Sequence, residues 1–336
     1  MNPVGPKRKL IDIPDKEFWK VFHECGGNSA RTAKFFGVDS ATIRRERISR
    51  TQHLNGNASI DELIQQVQAD GYLVTKEAQQ QDYHFDGVKL FKLGDCKVTR
   101  LAFVGDCHMG SRFQQISNLS NFYKLCEAQN VDAILHMGDI SDGQRMYPGQ
   151  EYEVFKHGAD AQVDYIVNTY PDAPSGIKTF LIGGNHDESH YTKGGGHDII
   201  SAIADKRKDI QNLGFHQATI SFGKISVKLM HPTGGVAYAR SYRMQKIIEQ
   251  MPPDEKPDFL CLGHYHVTAF LMGYRDVMGF QLPCFQSQTP YLAKKGLYPE
   301  IGAVIINIRW IDDRITGGIK SVNTDWISYR PVKEDW

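Results

Sequence analysis

Apolar and polar positions divide the chain into three textures. Over residues 15–25, Phe18, Trp19, Val21 and Phe22 fall on the buried side of a helix that Gly26-Gly27 ends. Asn28 can cap a second helix running to Phe36 with Ala30 and Ala33 facing inward, and Gly37-Val38-Asp39 makes a tight turn. A third helix follows from Ser40 to about Arg50, with Ile43 and Ile48 apolar and Arg44, Arg45, Arg47 and Arg50 exposed. The next stretch is polar. Its one clear element is a capping box, Ser59 with Glu62, opening an amphipathic helix on Ile60, Leu63, Ile64 and Val67. From Val98 the runs VTRLAFVG, DAILHMG, TFLIGG, ISVKLM and DFLCLG are apolar and β-branched enough for buried strands. Helices near 115–129, 150–170, 196–207 and 238–250 separate them, and beyond Val267 come TAFLMG, VMGFQLPCF and AVIINIRW, mostly strands. The expectation is a small all-α domain over 1–52, a connector over 53–97 and an α/β body over 98–336.

Charge changes this picture in one respect. Lys+Arg and Asp+Glu are both 39 in 336 residues, yet residues 1–50 hold eleven basic against six acidic side chains. The remainder holds 28 against 33, so a basic start precedes an acidic body, as if partner contact and chemistry were divided. The six cysteines (25, 96, 107, 126, 261, 284) form no CxxC pair, and the start MNPVGPKRKL has no apolar core of a signal peptide. Free thiols in a cytoplasmic protein are expected, and no apolar run approaches the ~20 residues that span a bilayer.

The chemistry is placed by the strands. Each apolar run is followed at once by metal-ligand residue types: Asp106 and His108, then Asp139, then Asn185, His186 and Asp187, then His231, then His264 and His266. Loops at the carboxyl ends of strands are where α/β folds build sites. Carboxylate, imidazole and amide oxygen without thiolate favour divalent cations over a structural zinc. One carboxylate can bridge two ions about 3.5–4 Å apart. Glycines before Asp139, Asn185 and His264 would let the backbone turn sharply there.

The motifs D-x-H, G-D, G-N-H-D, a lone His and G-H-x-H, in this order across 106–266, resemble the calcineurin-like metallophosphoesterase superfamily. The resemblance implies a sandwich of two mixed β-sheets flanked by helices and a two-metal site. Asp106, His108 and His266 would hold one ion, Asp139 would bridge, and Asn185, His231 and His264 would hold the other. The ions would be Mn first, with Fe, Zn or Ni as alternatives. His186 would contact the phosphate and protonate the leaving oxygen. Asp142, three after Asp139, matches the acid that orients this histidine in the phosphoprotein-phosphatase branch. That branch has an Arg directly after the matching acid, whereas here it is displaced by two, to Arg145, and Pro-Thr follows His231. A protein Ser/Thr phosphatase is therefore disfavoured.

The N-terminal pattern resembles a helix-turn-helix: Ala33 lies four before Gly37, Val38 follows it and Ile43 comes six after. Arg44, Arg45, Arg47 and Arg50 are its candidate DNA contacts. Combined with a phosphoesterase, the arrangement resembles ones encoded by bacteriophages. The reading is a two-metal-dependent phosphoesterase of phosphodiester bonds, a DNA nuclease similar to the family's DNA-repair nucleases, with DNA as partner, no membrane and a homo-oligomer allowed. The alternatives are a cyclic-nucleotide phosphodiesterase or phosphomonoesterase whose N-terminal domain serves assembly, and a DNA-binding regulator on a degenerate fold. His23, His53, His84, His136, His157 and His216 read as ordinary core or surface histidines. His190 and His197 read as a solvated loop before they read as cleft residues. Tyr238, Arg240, Tyr242, Arg243 and Lys246 read as a charged helix face.

Overall fold

The computed structural model describes residues 13–25, 29–54, 82–84, 91–93, 96–312 and 318–336. The chain divides into two compact units, Met1–Glu77 and Ala78–Trp336.

The first unit holds three helices, α1 (Asp15–Glu24), α2 (Ser29–Phe36) and α3 (Ser40–Leu54). Phe18, Phe22, Ala33 and Ile43 make its core, with Phe18 stacked on Phe22 and Phe36 at 6.3 and 6.0 Å between ring centroids. Gly37 takes the turn at φ 67°, and Asp39 caps α3 by accepting from the Thr42 amide at 2.9 Å. Three expectations are corrected here. Ala30 is exposed, because Thr32 and Ala33 carry the inner face of the short α2. Trp19 is half-buried, edge-on to Phe18 and Phe22. Arg50 is only 6% exposed. It lies seven residues after Ile43, hence on nearly the same side of α3. Its guanidinium donates to the Ile13 carbonyl at 2.8 Å, to Asp15 at 2.6 Å and to Glu46 at 2.9 Å, and lies 4.7 Å from the Phe18 ring centroid. Arg44, Arg45 and Arg47 are exposed as expected. The helix expected after Ser59 lies outside the described residues.

The second unit is built on two sheets. The seven-stranded one has the order β13 (Gly318–Ser328), β12 (Gly302–Ile311), β3 (Cys96–Val104), β4 (Ala133–His136), β5 (Thr179–Gly183), β6 (Ile210–Phe215), with β2 (Phe91–Leu93) also paired to β3. The six-stranded one runs β1 (Asp82–His84), β7 (Gln217–Phe222), β8 (Ile225–Met230), β9 (Phe259–Leu262), β11 (Val277–Gln281), β10 (Ala269–Tyr274). β1 and β2 lie within the stretch expected to be a connector, and pair with β7 and β3. Side chains alternate across each strand. Leu101 and Phe103 face inward onto Ile220, Val227, Leu229 and Phe259 of the other sheet. Ala102 and Val104 face outward onto helices Ile116–Ala128, Ala159–Thr169 and Ile199–Lys206. Met244 and Ile248 of helix Tyr242–Gln250 cover Leu260 and Leu262 on the far face of the six-stranded sheet. The result is helix, sheet, sheet, helix, the expected α/β sandwich. β3, β4, β5 and β6 are mutually parallel, and so are β8 and β9. Their carboxyl ends therefore deliver the ligand-bearing loops together. All six cysteines are free thiols. Among the described residues no helix is long and apolar enough to cross a membrane.

Candidate metal centre

The first three loops are stitched to one another by hydrogen bonds. The amides of Asp106, His108 and Met109 donate to the carbonyls of Gly138, Asp139 and Ile140 at 2.9, 3.0 and 2.8 Å, which aligns the first two loops. Asp187, fully buried, joins the second loop to the third. It accepts from the Ser141 amide and hydroxyl at 2.9 and 2.7 Å and from the Gly184 amide at 2.9 Å. Burial, then the Asp139 charge, raises its carboxyl to about 7. Right after β5 the chain enters a helix, Asn185–Thr192, where sequence reading saw only a loop. Its start turns the His186 amide onto Asp139 Oδ1 at 2.8 Å.

Backbone strain is concentrated at the same place. Eleven described non-glycine residues have positive φ, and five of them are Asp106, His108, Asp139, His264 and His266, between 46° and 79°. Such conformations cost about 1–3 kcal/mol each and persist where surroundings impose them. Of the three glycines expected to allow sharp turns, only Gly138 has positive φ, at 89°. Gly184 and Gly263 are needed for another reason, close approach. A side chain at Gly184 would strike the Asp139 carboxylate, and one at Gly263 the Met137 carbonyl.

The side chains converge into three overlapping nests: Asp106, His108 and His266; His108, Asp139 and His186; Asp139, His231 and His264. In each, the candidate ligand atoms lie within 4.8 Å of one another. Asp139 Oδ2 is 3.1 Å from His231 Nε2 and 3.9 Å from His108 Nε2, so one carboxylate serves both sides. Asn185 Oδ1 joins it 3.0 Å from His231 Nε2. Backbone carbonyls fix the rings. His231 Nδ1 donates to Met137 O at 2.6 Å, and His264 Nε2 donates to Gly234 O at 2.7 Å, which leaves Nδ1 of His264 for the nest.

This arrangement fits divalent cations better than it fits itself. His108 Nε2 and His266 Nε2 face each other at 3.1 Å, and although burial pulls His266 down, Cys284 and Asp106 beside it hold it well above its ordinary value, so a proton lies where the two rings meet. Burial pulls His231 down, but Asp139 beside it holds it up at about 9. A proton thus sits where Asp139 Oδ2 and Asn185 Oδ1 converge. Burial, with His186 and His266 nearby, holds His108 well below its ordinary value, which keeps its ring neutral. Imidazole nitrogens and carboxylates that converge on shared points become a cation's coordination shell once those protons are displaced.

The expected role of Asp142 is corrected in its atoms. Its carboxylate lies 3.2 Å from His108 Nδ1, not on His186. The backbone carbonyl of Asp142 is what holds His186, accepting from Nδ1 at 2.6 Å. Two residues that the sequence did not single out keep Asp142 in place. Gln150 donates to its carbonyl at 2.7 Å and to its Oδ2 at 3.1 Å, and Gln286 to its Oδ1 at 3.1 Å.

The nests open into a cleft of about 650 Å³. His108, Asp139, Asn185, His186, His264 and His266 reach it, and Tyr147, Tyr238, Arg240 and Tyr291 wall it. Arg145 is exposed and does not line it. His190 is fully buried, its Nε2 3.1 Å from Gln162 Oε1, so it does not reach the cleft.

Comparison with known proteins agrees with this geometry. Curated relatives include the DNA polymerase II small subunit of Methanothermobacter thermautotrophicus, 26% identical over 61% of this chain and 51% of the relative. That of Halobacterium salinarum is 20% identical over 64% and 49%. The chain thus spans about half the length of these relatives. A Vps29 crystal structure from Chaetomium thermophilum is similar over 69% of this chain and all of that one, at 12% identity and a TM-score of 0.34, too low to bear on the fold. The model of the calcineurin-like phosphoesterase family matches residues 99–268, from β3 through the last ligand loop, and the chain belongs to that family.

Proposed function

We propose that the protein is a metal-dependent phosphoesterase that hydrolyses phosphodiester bonds in DNA, with Arg44, Arg45 and Arg47 of its first unit contributing to DNA contact. The observation that carries this reading is the complete set of donors sharing Asp139, beside a histidine whose inner nitrogen is already engaged. Asp106, His108 and His266 would hold one cation and Asn185, His231 and His264 the other, with Asp139 between them. Mn is the first choice, with Fe, Zn or Ni as alternatives. When bound, the cations supply the polarisation of a phosphoryl oxygen and the acidification of a water.

The chain's own residues do the rest. Because a carbonyl can only accept, His186 carries a proton at Nδ1 and directs Nε2 to the cleft. Burial, aided by His266 and His231, lowers its pKa, so in the free protein Nε2 is bare. An arriving phosphate dianion or diester anion reverses that balance, and the imidazolium then formed can hand its Nε2 proton to the leaving oxygen. The Asp142 carboxyl, which burial holds well above the usual carboxylate range, stands 3.2 Å from His108 Nδ1 and leaves Nε2 for the cation. DNA as substrate draws support from the polymerase-subunit relatives and from the three exposed arginines on α3.

The test uses full-length protein loaded with Mn against bis-p-nitrophenyl phosphate, linear DNA, RNA, cyclic nucleotides and phosphomonoesters. Hydrolysis of the first two, lost in His186→Ala, supports the reading. DNA left intact while cyclic nucleotides turn over sinks it. The relatives' names favour a second reading, a subunit acting by assembly within a DNA-synthesising complex. Metal-loaded protein that cleaves no ester would select that one.

A further inference from the structure

Large apolar side chains left in water gather where they have something to bind. Twelve are exposed among the described residues, and four of them, Val236, Tyr238, Leu297 and Tyr298, sit on two loops lining the metal-bearing cleft. Tyr238 is fully exposed and Tyr298 three-quarters exposed. Among the described residues neither ring has a ring contact or side-chain hydrogen bond, although both flank a site full of them. The first loop is tied to the centre itself, since the Gly234 carbonyl that begins it accepts from His264 Nε2. Below the rim Tyr147 and Tyr291 stack on each other at 4.2 Å and 15°, so that part of the wall is already satisfied. Cations accompany the rings. Lys295 lies 4.5 Å from the Tyr291 centroid, Arg240 lines the cleft while paired to Glu300, and the Arg243 guanidinium packs against Gly234.

Planar faces interleaved with positive charge, beside a centre that takes a phosphate, describe a groove for a strand whose bases are free to stack. In a duplex the faces of the bases are occupied by one another. We propose that Tyr238 and Tyr298 stack on the unpaired bases flanking the scissile phosphate, so that the site takes single-stranded DNA or a frayed end and rejects continuous duplex. This rests on the reading of the site as a DNA phosphodiesterase and names the form of DNA it accepts.

The test compares a single-stranded DNA pentanucleotide with the same strand made abasic around its central phosphate, by fluorescence anisotropy on the full chain in EDTA. Wild type should prefer the base-bearing strand at least tenfold. Tyr238→Ala with Tyr298→Ala should bring the ratio to within about twofold, and the double change to Phe should restore it. Any binding by the first unit is common to all three proteins, so a difference in the ratio between them reports the two tyrosines. A wild-type ratio near one, or a ratio indifferent to the Ala changes, overturns the proposal. So does Mn-dependent cleavage of blunt duplex as fast as single strand. Because the binding ratio needs no turnover, it decides the stacking even if no ester is cleaved, and a failure to cleave any ester would strike only at the phosphodiesterase reading.

Discussion

Arg50 and Asp139 are both buried charges, and their surroundings are opposites. Arg50 meets a carbonyl, two carboxylates and an aromatic face. It is a finished arrangement that locks the body of α3 to the start of α1. Burial alone would raise Asp139, but His231, His186 and His108 crowded around it hold it well below the usual carboxylate range. Its neighbours are mostly nitrogens that need something between them. A buried charge whose partners are complete stabilises a fold. One whose partners point past it at a common centre awaits a ligand.

The sharpest test of this contrast is Asp139→Asn. It should lower hydrolysis of bis-p-nitrophenyl phosphate by roughly 10²–10⁴-fold, the several kcal/mol that paired cations supply. Bound metal, measured by mass spectrometry, should fall with it, while the metal-free protein loses only the stability that the His231 pair contributes. Full metal content in this variant would remove Asp139 from the bridging position. Asp142→Asn comes next, with a loss of about 10–100-fold, as expected for a group that orients a ligand. Since the carbonyl holding His186 survives the change, the damage should fall on metal affinity and be recovered at higher Mn.

Arg50→Ala should do the reverse of Asp139→Asn. Stability in urea should fall by about 1–3 kcal/mol, discounted because Asp15 is half exposed, and turnover of the small ester should hold. Arg44→Ala should stay within about 0.5 kcal/mol of wild type. If both changes are silent, the buried ion pairs of Arg50 contribute nothing. The smallest effect is a slope with pH. The folded pKa of His231, about 9, lies above its ordinary value of 6.5, so its pairing with Asp139 stabilises the metal-free protein fully below pH 6.5. That contribution is lost as pH rises toward 9, while the competing cation gains up to about tenfold in affinity per pH unit. Calorimetry with and without Mn across pH 6–9 should show the two melting curves diverging. Parallel curves would mean that no proton is displaced from this pair.

The convergence of the seven candidate donors was legible in the sequence because each follows an apolar run, and burial of that run fixes where the next residues emerge. The helix Asn185–Thr192 was hidden for a related reason. Its inward side is Asp187, Ser189 and His190, polar groups that meet Ser141, Gln144 and Gln162 rather than an apolar stripe. Arg50 was misread because α3 continues through Leu54, so the residue lies in the body of the helix and not at its fraying end. No sequence pattern separates the carboxylate of Asp142 from its carbonyl. Nor does any pattern join Gln150 to Gln286, which meet only at Asp142. Tyr238 and Arg240 read as a helix face, yet the helix starts only at Tyr242 and both line the cleft.

The left-handed backbone at five of the donors also bears on how such a centre could be lost. Asparagine and glycine adopt that conformation readily, and β-branched residues do not. Descendants of this chain that drift through Asn or Gly at Asp106, His108, Asp139, His264 or His266 would shed donors and keep the loops in place. Drift to Val or Ile would unseat the loops as well. The left-handed backbone at these five positions therefore leaves open a route to an inert scaffold of unchanged shape, on which a binding surface outlives the chemistry.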